Sequence, residues 1–516
     1  MDADPQPIPA SLEYWAAHTP DAPAVVHGDR VLTYGSWNDA ADRLADALAR
    51  LGVETGDRLG MRFRLRPEWF VAQRALGKLG AQLVAVNWRL TPDEAAYILS
   101  DSGSRGLVCD DEDVTGWDRL GLDLLVTVGQ GPGTTGYRLE DLVVDDGPAP
   151  TRRYGPVKPG LVVYTSGTTG YPKGVPPGPT VHDLTPPDPE TLEVGDDGRG
   201  RTATTTLLTL PIHHAAGPAL AVAACTAGGT IVLHDPFDPA EVLRLIEQHR
   251  VAAWTAVPTM LLRVRALPPE VVAANDLSSL GYLGLGAAAV PFELKRWAVS
   301  VFGDDCLWEG YGSTEAGMIS QISPADQLRK PGSSGRPYPH VTVRILDDDW
   351  NSLPAGSTGE IAVKSPTVST EYLGQGPMGP DVLRDGFYRT GDVGHLDDDG
   401  FLFITDRVKD MIVAGGSNIY PAEIEKALIE HPAVVDAAVI GIPHEEFGEE
   451  VLAFVVAGGE ERPGTEELTG FLGPRLARYK LPRRYELVDE LPLNPMGKVM
   501  KNELRAPYWT ERDRKV

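Results

Sequence analysis

Cysteine is scarce in this chain. Cys109, Cys225 and Cys306 are the only three in 516 residues, and no C-x-x-C pair occurs. That excludes a disulfide scaffold and a thiolate metal site, so all three are expected to be reduced core thiols of a cytoplasmic protein. Long apolar runs are missing too: none approaches the roughly 18 residues that a membrane-crossing helix needs. The N-terminal stretch MDADPQPIPASLEYW has no basic segment followed by an apolar one, so no signal peptide is expected. Cations are outnumbered, 47 Lys and Arg against 73 Asp and Glu, for a formal charge of −26. A surface of that sign repels nucleic acid and anionic membranes, which removes both as expected partners. The local exception is RLARYKLPRRY (Arg475–Tyr485), where five cations gather. No internal repeat is visible.

What is present is the balance of a globular protein, 42% hydrophobic and 23% charged. The length allows about two to four domains. SWNDAADRLADALARLG (Ser36–Gly52) sets Trp37, Ala41, Leu44, Ala45 and Leu48 in a helix-spaced stripe that stops at a glycine. GDRLGMRFRL reads as a strand, PEWFVAQRALGKLG as a helix and AQLVAVNW as a strand. The order repeats in GPALAVAACTAGG, TIVLHD, DPAEVLRLIEQHR and VAAWTAV. Strands alternating with helices argue for βαβ units and mostly parallel sheets. Two loops interrupt the pattern, Pro176–Arg201, rich in Pro, Gly and Asp, and the shorter Leu373–Asp385. After Asp406 the texture becomes helix–strand–strand, as in an α+β unit of about 100 residues. The boundary is expected at Asp406–Asp410.

One stretch carries chemistry. LVVYTS (Leu161–Ser166) is an apolar, strand-like run, and YTSGTTGYPKG (Tyr164–Gly174) follows its end. Gly167 and Gly170 free backbone N–H groups to face an anion. Thr165, Ser166, Thr168 and Thr169 add hydroxyl donors, and Lys173 a mobile positive charge. The order Gly170-Tyr-Pro-Lys173-Gly174 is not that of the Walker loop, which places Gly and Lys side by side before Ser or Thr.

Further motifs follow in order: LPIHHAAG (210–217), GLGAAAVP (284–291), YGSTEAG (311–317), STGEIAV (357–363), YRTGD (388–392), DRVKDMIVAGGSNIYPAEIE (406–425) and LPLNPMGKVMKNEL (491–504). With the phosphate loop they resemble, over nearly the whole chain, the adenylate-forming superfamily of acyl-CoA synthetases, peptide-synthetase adenylation domains and beetle luciferases. The resemblance implies an α/β fold. A large N-terminal domain (1–406) would carry parallel-rich sheets packed with helices and a small β-barrel-like part. A small mobile α+β domain (407–516) would follow, hinged at Lys409.

The implied activity is that of an AMP-forming acid–thiol ligase. A carboxylate attacks the α-phosphate of Mg·ATP to give acyl-AMP and pyrophosphate, and a thiol then displaces AMP. ATP, Mg²⁺ and CoA are the implied cofactors. The resemblance assigns Glu315 to the metal and Thr314 to the α-phosphate. Tyr311 would pack on adenine, with Glu309, Gly286, Ala287 and Gly312 around it. Asp392 and Arg407 would hold the ribose, and the loop Thr165–Gly170 with Lys173 the phosphates. Lys498 would be the adenylation lysine. Gly415 and Gly416 would line the channel for the pantetheine arm. Of the adjacent His213 and His214, neither at metal-ligand spacing, His213 is assigned to the acyl site or thiol channel.

Amino-acid-activating relatives place an aspartate in the segment corresponding to LPIHHAAG. Its absence here argues for a simple carboxylic acid, of fatty-acid or secondary metabolism. Ala215, Ala216, Trp254, Val257, Met260, Gly284, Leu285 and Ile319 are the expected pocket walls, their small residues leaving room for a bulky or long acyl group. The acceptor would be CoA, its phosphates meeting Arg475–Arg484, or a separate carrier protein. A one-step variant acting on a supplied acyl-AMP is the alternative. The oligomeric state is open, a homodimer included. One departure stands out: VPPGPTVHDLTPPDP follows the phosphate loop where relatives begin a helix, and its prolines forbid an immediate one.

Overall fold

The computed structural model describes residues 11–111, 114, 116–117, 120–129, 136–144, 150–153, 160–165, 172–178, 205–288, 290–407, 410–414, 417–444, 447–458, 462–494 and 498–509. The strand–helix alternation is realised in two large sheets. In one, parallel neighbours run in the order Leu307–Ser313, Tyr282–Leu285, Ala253–Ala256, Thr205–Leu208, Thr230–Leu233 and Pro23–His27, with antiparallel strands at both edges. In the other, Tyr137–Arg138, Leu124–Thr127, Gly106–Cys109, Arg58–Arg62, Gln82–Ala85 and Leu161–Thr165 are parallel neighbours. Lys173–Val175 folds back antiparallel on the last of these. Gly106–Cys109 and Leu124–Thr127 are buried at every position, as a parallel sheet covered on both faces requires.

The helices form where the sequence places both stripe and cap. Tyr34–Arg50 starts at a reciprocal capping box between Thr33 and Ser36 and buries Trp37, Ala41, Leu44, Ala45 and Leu48. Pro67–Leu79 opens on a proline whose missing N–H costs nothing there and ends on Gly80 at φ 70°. Pro239–His249 is capped by Asp238, whose carboxylate accepts from Glu241 N at 2.8 Å.

A third, antiparallel sheet contains Thr342–Leu346, Gly359–Lys364, Phe387–Leu396, Leu383–Arg384 and Leu402–Arg407. Beyond Arg407 the sheet membership changes. Ser417–Ile419, Ile412–Ala414, Gly448–Ala457, Val434–His444 and Arg484–Val488 form a sheet of their own. Helices Pro421–Ile429 and Thr465–Leu472 pack on it through Ile424, Leu428, Leu468 and Leu472 against Val439 and Val455.

The N-terminal segment is held by buried charge. Lys78 Nζ lies 2.6 Å from Glu13 and 2.8 Å from Asp42, and Arg74 meets both oxygens of Glu13 at 2.9 and 2.7 Å. Burial alone would raise the Glu13 pKa, but Arg74 and Lys78 hold it below the ordinary glutamate value. The stability from this carboxylate is therefore present above the unfolded-state pKa and lost as pH falls through the lower folded value. Removing one member of such a cluster strands the others in low dielectric. Lys78→Met is expected to cost about 3–5 kcal/mol, read as a lowered urea midpoint; a loss under about 1 kcal/mol would show the cluster to be dispensable.

Candidate active site

The ends of the phosphate loop are fixed by a ladder. Thr165 pairs with Lys173, Tyr164 with Gly174 and Val163 with Val175. Ser166, Gly167, Thr168, Thr169 and Gly170 lie outside the described residues, as does most of the proline-rich segment after them. The flanks are pinned from three sides: Tyr97 donates to the Pro172 carbonyl at 3.2 Å, Tyr164 to Asp101 at 2.7 Å, and Leu373 N to the Gly174 carbonyl at 2.8 Å. Lys173 Nζ sits 4.9 Å from the centroid of the Tyr372 ring, a cation–π seat that the sequence did not announce.

Facing this loop is the turn between strands Leu307–Ser313 and Gly317–Ile322. Gly312 is required there, because a Cβ would lie 2.3 Å from the Gly317 carbonyl oxygen. The turn presents Thr314 and Glu315, both half-buried. Glu315 Oε1 accepts from Thr165 Oγ1 at 3.2 Å, which ties the turn to the phosphate loop. Burial, then the Glu315 charge, raises the pKa values of Tyr372 and Tyr388. Glu315 is a lone carboxylate: no cluster of three or more His, Cys, Asp or Glu that could hold a metal occurs among the described residues. One carboxylate beside a hydroxyl suits Mg²⁺, which keeps its waters and takes its remaining ligands from substrate phosphates.

Asp392 is the second focus. It is 5% exposed; Tyr311 donates to its Oδ2 at 2.6 Å, and Arg407 Nε lies 3.0 Å from its Oδ1. Burial and the Asp392 charge hold the Tyr311 hydroxyl well above its ordinary pKa, so it stays a donor. Burial opposes the Arg407 charge, but Asp392 and Asp410 outweigh it and raise its pKa. Each carboxylate oxygen has lone-pair capacity beyond these contacts, enough for two sugar hydroxyls.

Beside Tyr311, Glu309 is in close ion-pair contact with Lys295 from helix Phe292–Phe302. Its pKa is raised by burial, against the pull of Lys295. Lys295 is a site neighbour that the sequence motifs did not reveal. A Cβ at Gly286 would lie 2.9 Å from the Gly310 carbonyl oxygen, and Ala287 adopts φ +65°. That left-handed backbone is unusual for a residue with a side chain and clusters at functional turns.

The two histidines stack obliquely, centroids 4.7 Å apart. Burial and nearby cations depress both: His213 to about 3, through burial, His214, Arg89 and Arg62, and His214 to about 4, through burial, Arg89 and Lys498. Both are therefore neutral imidazoles near pH 7. His213 Nδ1 and Nε2 and His214 Nε2 have no hydrogen-bond partner among the described residues. Lys498 thus acts electrostatically on His214 although nearly three hundred residues separate them in sequence. Its backbone is set by Asn494, whose N–H donates to the Lys498 carbonyl at 2.8 Å and whose side chain accepts from Lys498 N at 2.9 Å.

Ala215 and Ala216 follow directly on His214 and start the helix Ala216–Thr226. Val257 is core, packed in one cluster with Leu210, Ile212, Ala216 and Met260. Trp254 and Leu285 lie in a second cluster, where Trp254 Nε1 donates to Thr209 Oγ1 at 3.1 Å. Ile319 belongs to a third, beside Tyr311 and Tyr388. A Cβ at Gly284 would press on Tyr282 and Thr255. The expected pocket walls are thus distributed over three buried clusters, with Met260 packed against two of them. Lys409, Gly415 and Gly416 lie outside the described residues.

The chain is built of two units with separate sheets, and Lys498 of the second acts electrostatically on His214 of the first. Residues 12–373 match the family model described as AMP-binding enzyme, and residues 423–498 match its C-terminal domain. The chain belongs to this family, the AMP-forming acyl-CoA ligases of the adenylate-forming superfamily. It is 35% identical to a fatty acid–[acyl-carrier-protein] ligase, ScoC, of Streptomyces coeruleorubidus, over 99% of this chain and 98% of that one. It is 36% identical to a feruloyl-CoA synthase of an Amycolatopsis species, over 96% and 97%. Among solved structures it resembles the o-succinylbenzoate CoA synthetase of Bacillus subtilis in complex with ATP and magnesium ion, with TM-score 0.79, 30% identity, and coverage of 96% and 99%. No helix among the described residues is long and apolar enough to cross a membrane.

Tyr311→Phe removes one of the two donors that orient Asp392. ATP should bind about 10- to 150-fold more weakly, in line with about 1.5–3 kcal/mol for a hydrogen bond to a charged group. Unchanged affinity in equilibrium titration would show that this contact does not shape the nucleotide site.

Proposed function

We propose that this chain activates a carboxylic acid with Mg·ATP to acyl-AMP and then transfers the acyl group to the thiol of CoA. The observation that carries this reading is that Lys498, from the far end of the chain, acts electrostatically on His214 of the segment 210–217.

In this reading Asp392 accepts from the ribose hydroxyls while Arg407 and Tyr311 fix its orientation. Tyr311 lies along the adenine, with Glu309, Gly286, Ala287 and Gly312 completing the wall. Thr165, the loop 166–170 and Lys173 take the outer phosphates, and Lys173 leaves its seat on Tyr372 to do so. Glu315 would hold Mg²⁺, which neutralises phosphate charge when bound. The acid's carboxylate oxygen attacks the α-phosphorus and pyrophosphate leaves. Lys498 and the Thr314 hydroxyl stabilise the charge that develops on the carboxylate and α-phosphate oxygens. The thiolate sulfur then attacks the acyl carbon and AMP departs. Gly415 and Gly416 give the pantetheine arm close approach, and a turn at Lys409 exchanges the two steps.

His213 and His214 are neutral, so they cannot balance the substrate carboxylate; they offer an N–H donor and a lone pair each to the acyl site. With no carboxylate in segment 210–217 to pair with an ammonium, the substrate is a non-amino acid. It is taken up among Ala215, Ala216, Trp254, Val257, Gly284, Leu285 and Ile319. In the basic stretch Arg475, Lys480 and Arg484 are already engaged by Glu430, Glu423 and Glu486, which leaves the exposed Arg478 and Arg483 for phosphate groups. A second reading, transfer to a carrier protein, is favoured by the similarity to the acyl-carrier-protein ligase.

The test is a panel of ferulate, indoleacetate, 2-succinylbenzoate and dodecanoate with ATP and Mg²⁺, with CoA or holo-carrier protein as acceptor. Pyrophosphate, AMP and thioester are followed separately. Acid-dependent pyrophosphate release and a CoA thioester are expected. Thioester on the carrier protein alone selects the second reading, and no pyrophosphate with any acid overturns both. Lys498→Ala should lower acyl-AMP formation about 10²–10³-fold and spare thioester formation from supplied acyl-AMP; equal loss of both would remove Lys498 from its assigned role.

A further inference from the structure

Asp406 is the penultimate residue of the last strand of the antiparallel sheet, one residue before the arginine proposed for the ribose site, and is 7% exposed. One of its oxygens is satisfied locally, by Arg407 N at 2.7 Å. The other accepts from Ala422 N at 3.0 Å. Ala422 is the second residue of helix Pro421–Ile429, whose own N-cap, Tyr420, makes no side-chain cap. The helix therefore receives its capping carboxylate from the preceding sheet, where a negative charge also complements the helix dipole.

The same carboxylate faces a buried cation. Lys501 Nζ lies 2.7 Å from Glu425 on that helix, and the charges of Glu425, Asp406 and Asp410 outweigh its burial and raise its pKa. Glu425 is in turn fixed by Val439 N at 2.6 Å. Lys501 begins the helix Lys501–Arg505, directly after the strand-like bridge Leu493–Val499 that brackets Lys498. Arg505, from the same helix, pairs with Asp410 at 2.8 Å. Apart from Arg407 N, the groups that stabilise the Asp406 charge belong to the C-terminal unit. Burial otherwise works against it, pushing its pKa up to about 6.

We propose that Asp406 is a positioning residue for Lys498: through Ala422 and Lys501 it sets the orientation of the C-terminal unit in which Lys498 reaches the acid site. The inference rests on the two-step reading above. Separating the units removes both contacts and exposes Asp406 to water, which replaces them at modest cost. The contact thus biases the orientation without locking it, as a site that must serve a second step requires.

The experiment uses the full chain with Asp406→Ala, Asp406→Asn, Lys501→Met and Lys501→Arg. Acyl-AMP formation from ferulate or dodecanoate is measured without thiol, and thioester formation from the matching synthetic acyl-AMP with CoA. Asp406→Ala and Lys501→Met should slow the first step about 10- to 50-fold, with the KM for ATP within about twofold and the second step within about threefold. Lys501→Arg should restore most of the loss. Asp406→Asn should fall between, because its amide oxygen still accepts from Ala422 but carries no charge for Lys501. Equal losses in both steps, a raised KM for ATP, or no effect would each overturn the proposal. The amide of Ala422 gives a readout independent of activity: its hydrogen exchange should accelerate at least about tenfold in Asp406→Ala and stay unchanged in Lys498→Ala. A wild-type chain inactive on every acid would overturn the functional reading instead, and unaccelerated exchange would still refute the Asp406 contact.

Discussion

The Asp392 carboxylate is where two sheets of the chain meet. Tyr311 reaches it from the large parallel sheet, Asp392 itself belongs to the antiparallel sheet, and Arg407 ends the last strand before the C-terminal unit. A carboxylate buried to this degree is tolerated only with partners for its charge, so the two sheets hold one relative position or the charge loses its Tyr311 partner. The group proposed to accept the ribose is therefore also the joint between the sheets. Asp406, on the neighbouring residue of Arg407, extends the joint into the C-terminal unit. The proposed ribose contact and the proposed contact to the C-terminal unit thus fall on two consecutive residues of one strand.

The charge distribution follows the same economy. A chain of formal charge −26 must still hold a triphosphate and an acid. In the proposed reading it does so with a few cations whose surroundings fix them individually: Lys173 on the Tyr372 ring, Arg407 on Asp392, Lys498 acting on His214. The histidines add no charge, because burial, with Arg89 and Arg62 at His213 and Arg89 and Lys498 at His214, depresses their pKa values to about 3 and about 4. Protonic switching by imidazole is thereby excluded near neutral pH, and the developing negative charge is left to lysine, threonine and metal. Salt should weaken this site less than an open basic surface, because the cations are partly desolvated.

Much of this was legible in the sequence where the signal is local. The helix Tyr34–Arg50 announces itself by its stripe and its Thr33–Ser36 cap, and Pro67–Leu79 by its proline start and glycine end. Tyr311, Glu315, Asp392 and Lys498 were legible because each sits in a motif with fixed neighbours. Their supports were not, because they come from distant segments: Lys295 against Glu309, Tyr372 under Lys173, Ala422 against Asp406. Nor does helical periodicity reveal that Asp42, on the helix that buries Trp37, is itself buried to meet Lys78. The adjacent histidines are a third case. Sequence spacing treats them alike, whereas the lysine that acts on His214 arrives from the far end of the chain.

Activation through an acyl-adenylate requires the acid's own oxygen to become bonded to the α-phosphorus. A carboxylic acid labelled with ¹⁸O in both carboxyl oxygens, with mass analysis of the AMP released when CoA thioester forms, follows that oxygen. One labelled oxygen is expected in each AMP and none in pyrophosphate or orthophosphate. Unlabelled AMP, or label in orthophosphate as an acyl-phosphate route would give, would contradict activation through an acyl-adenylate.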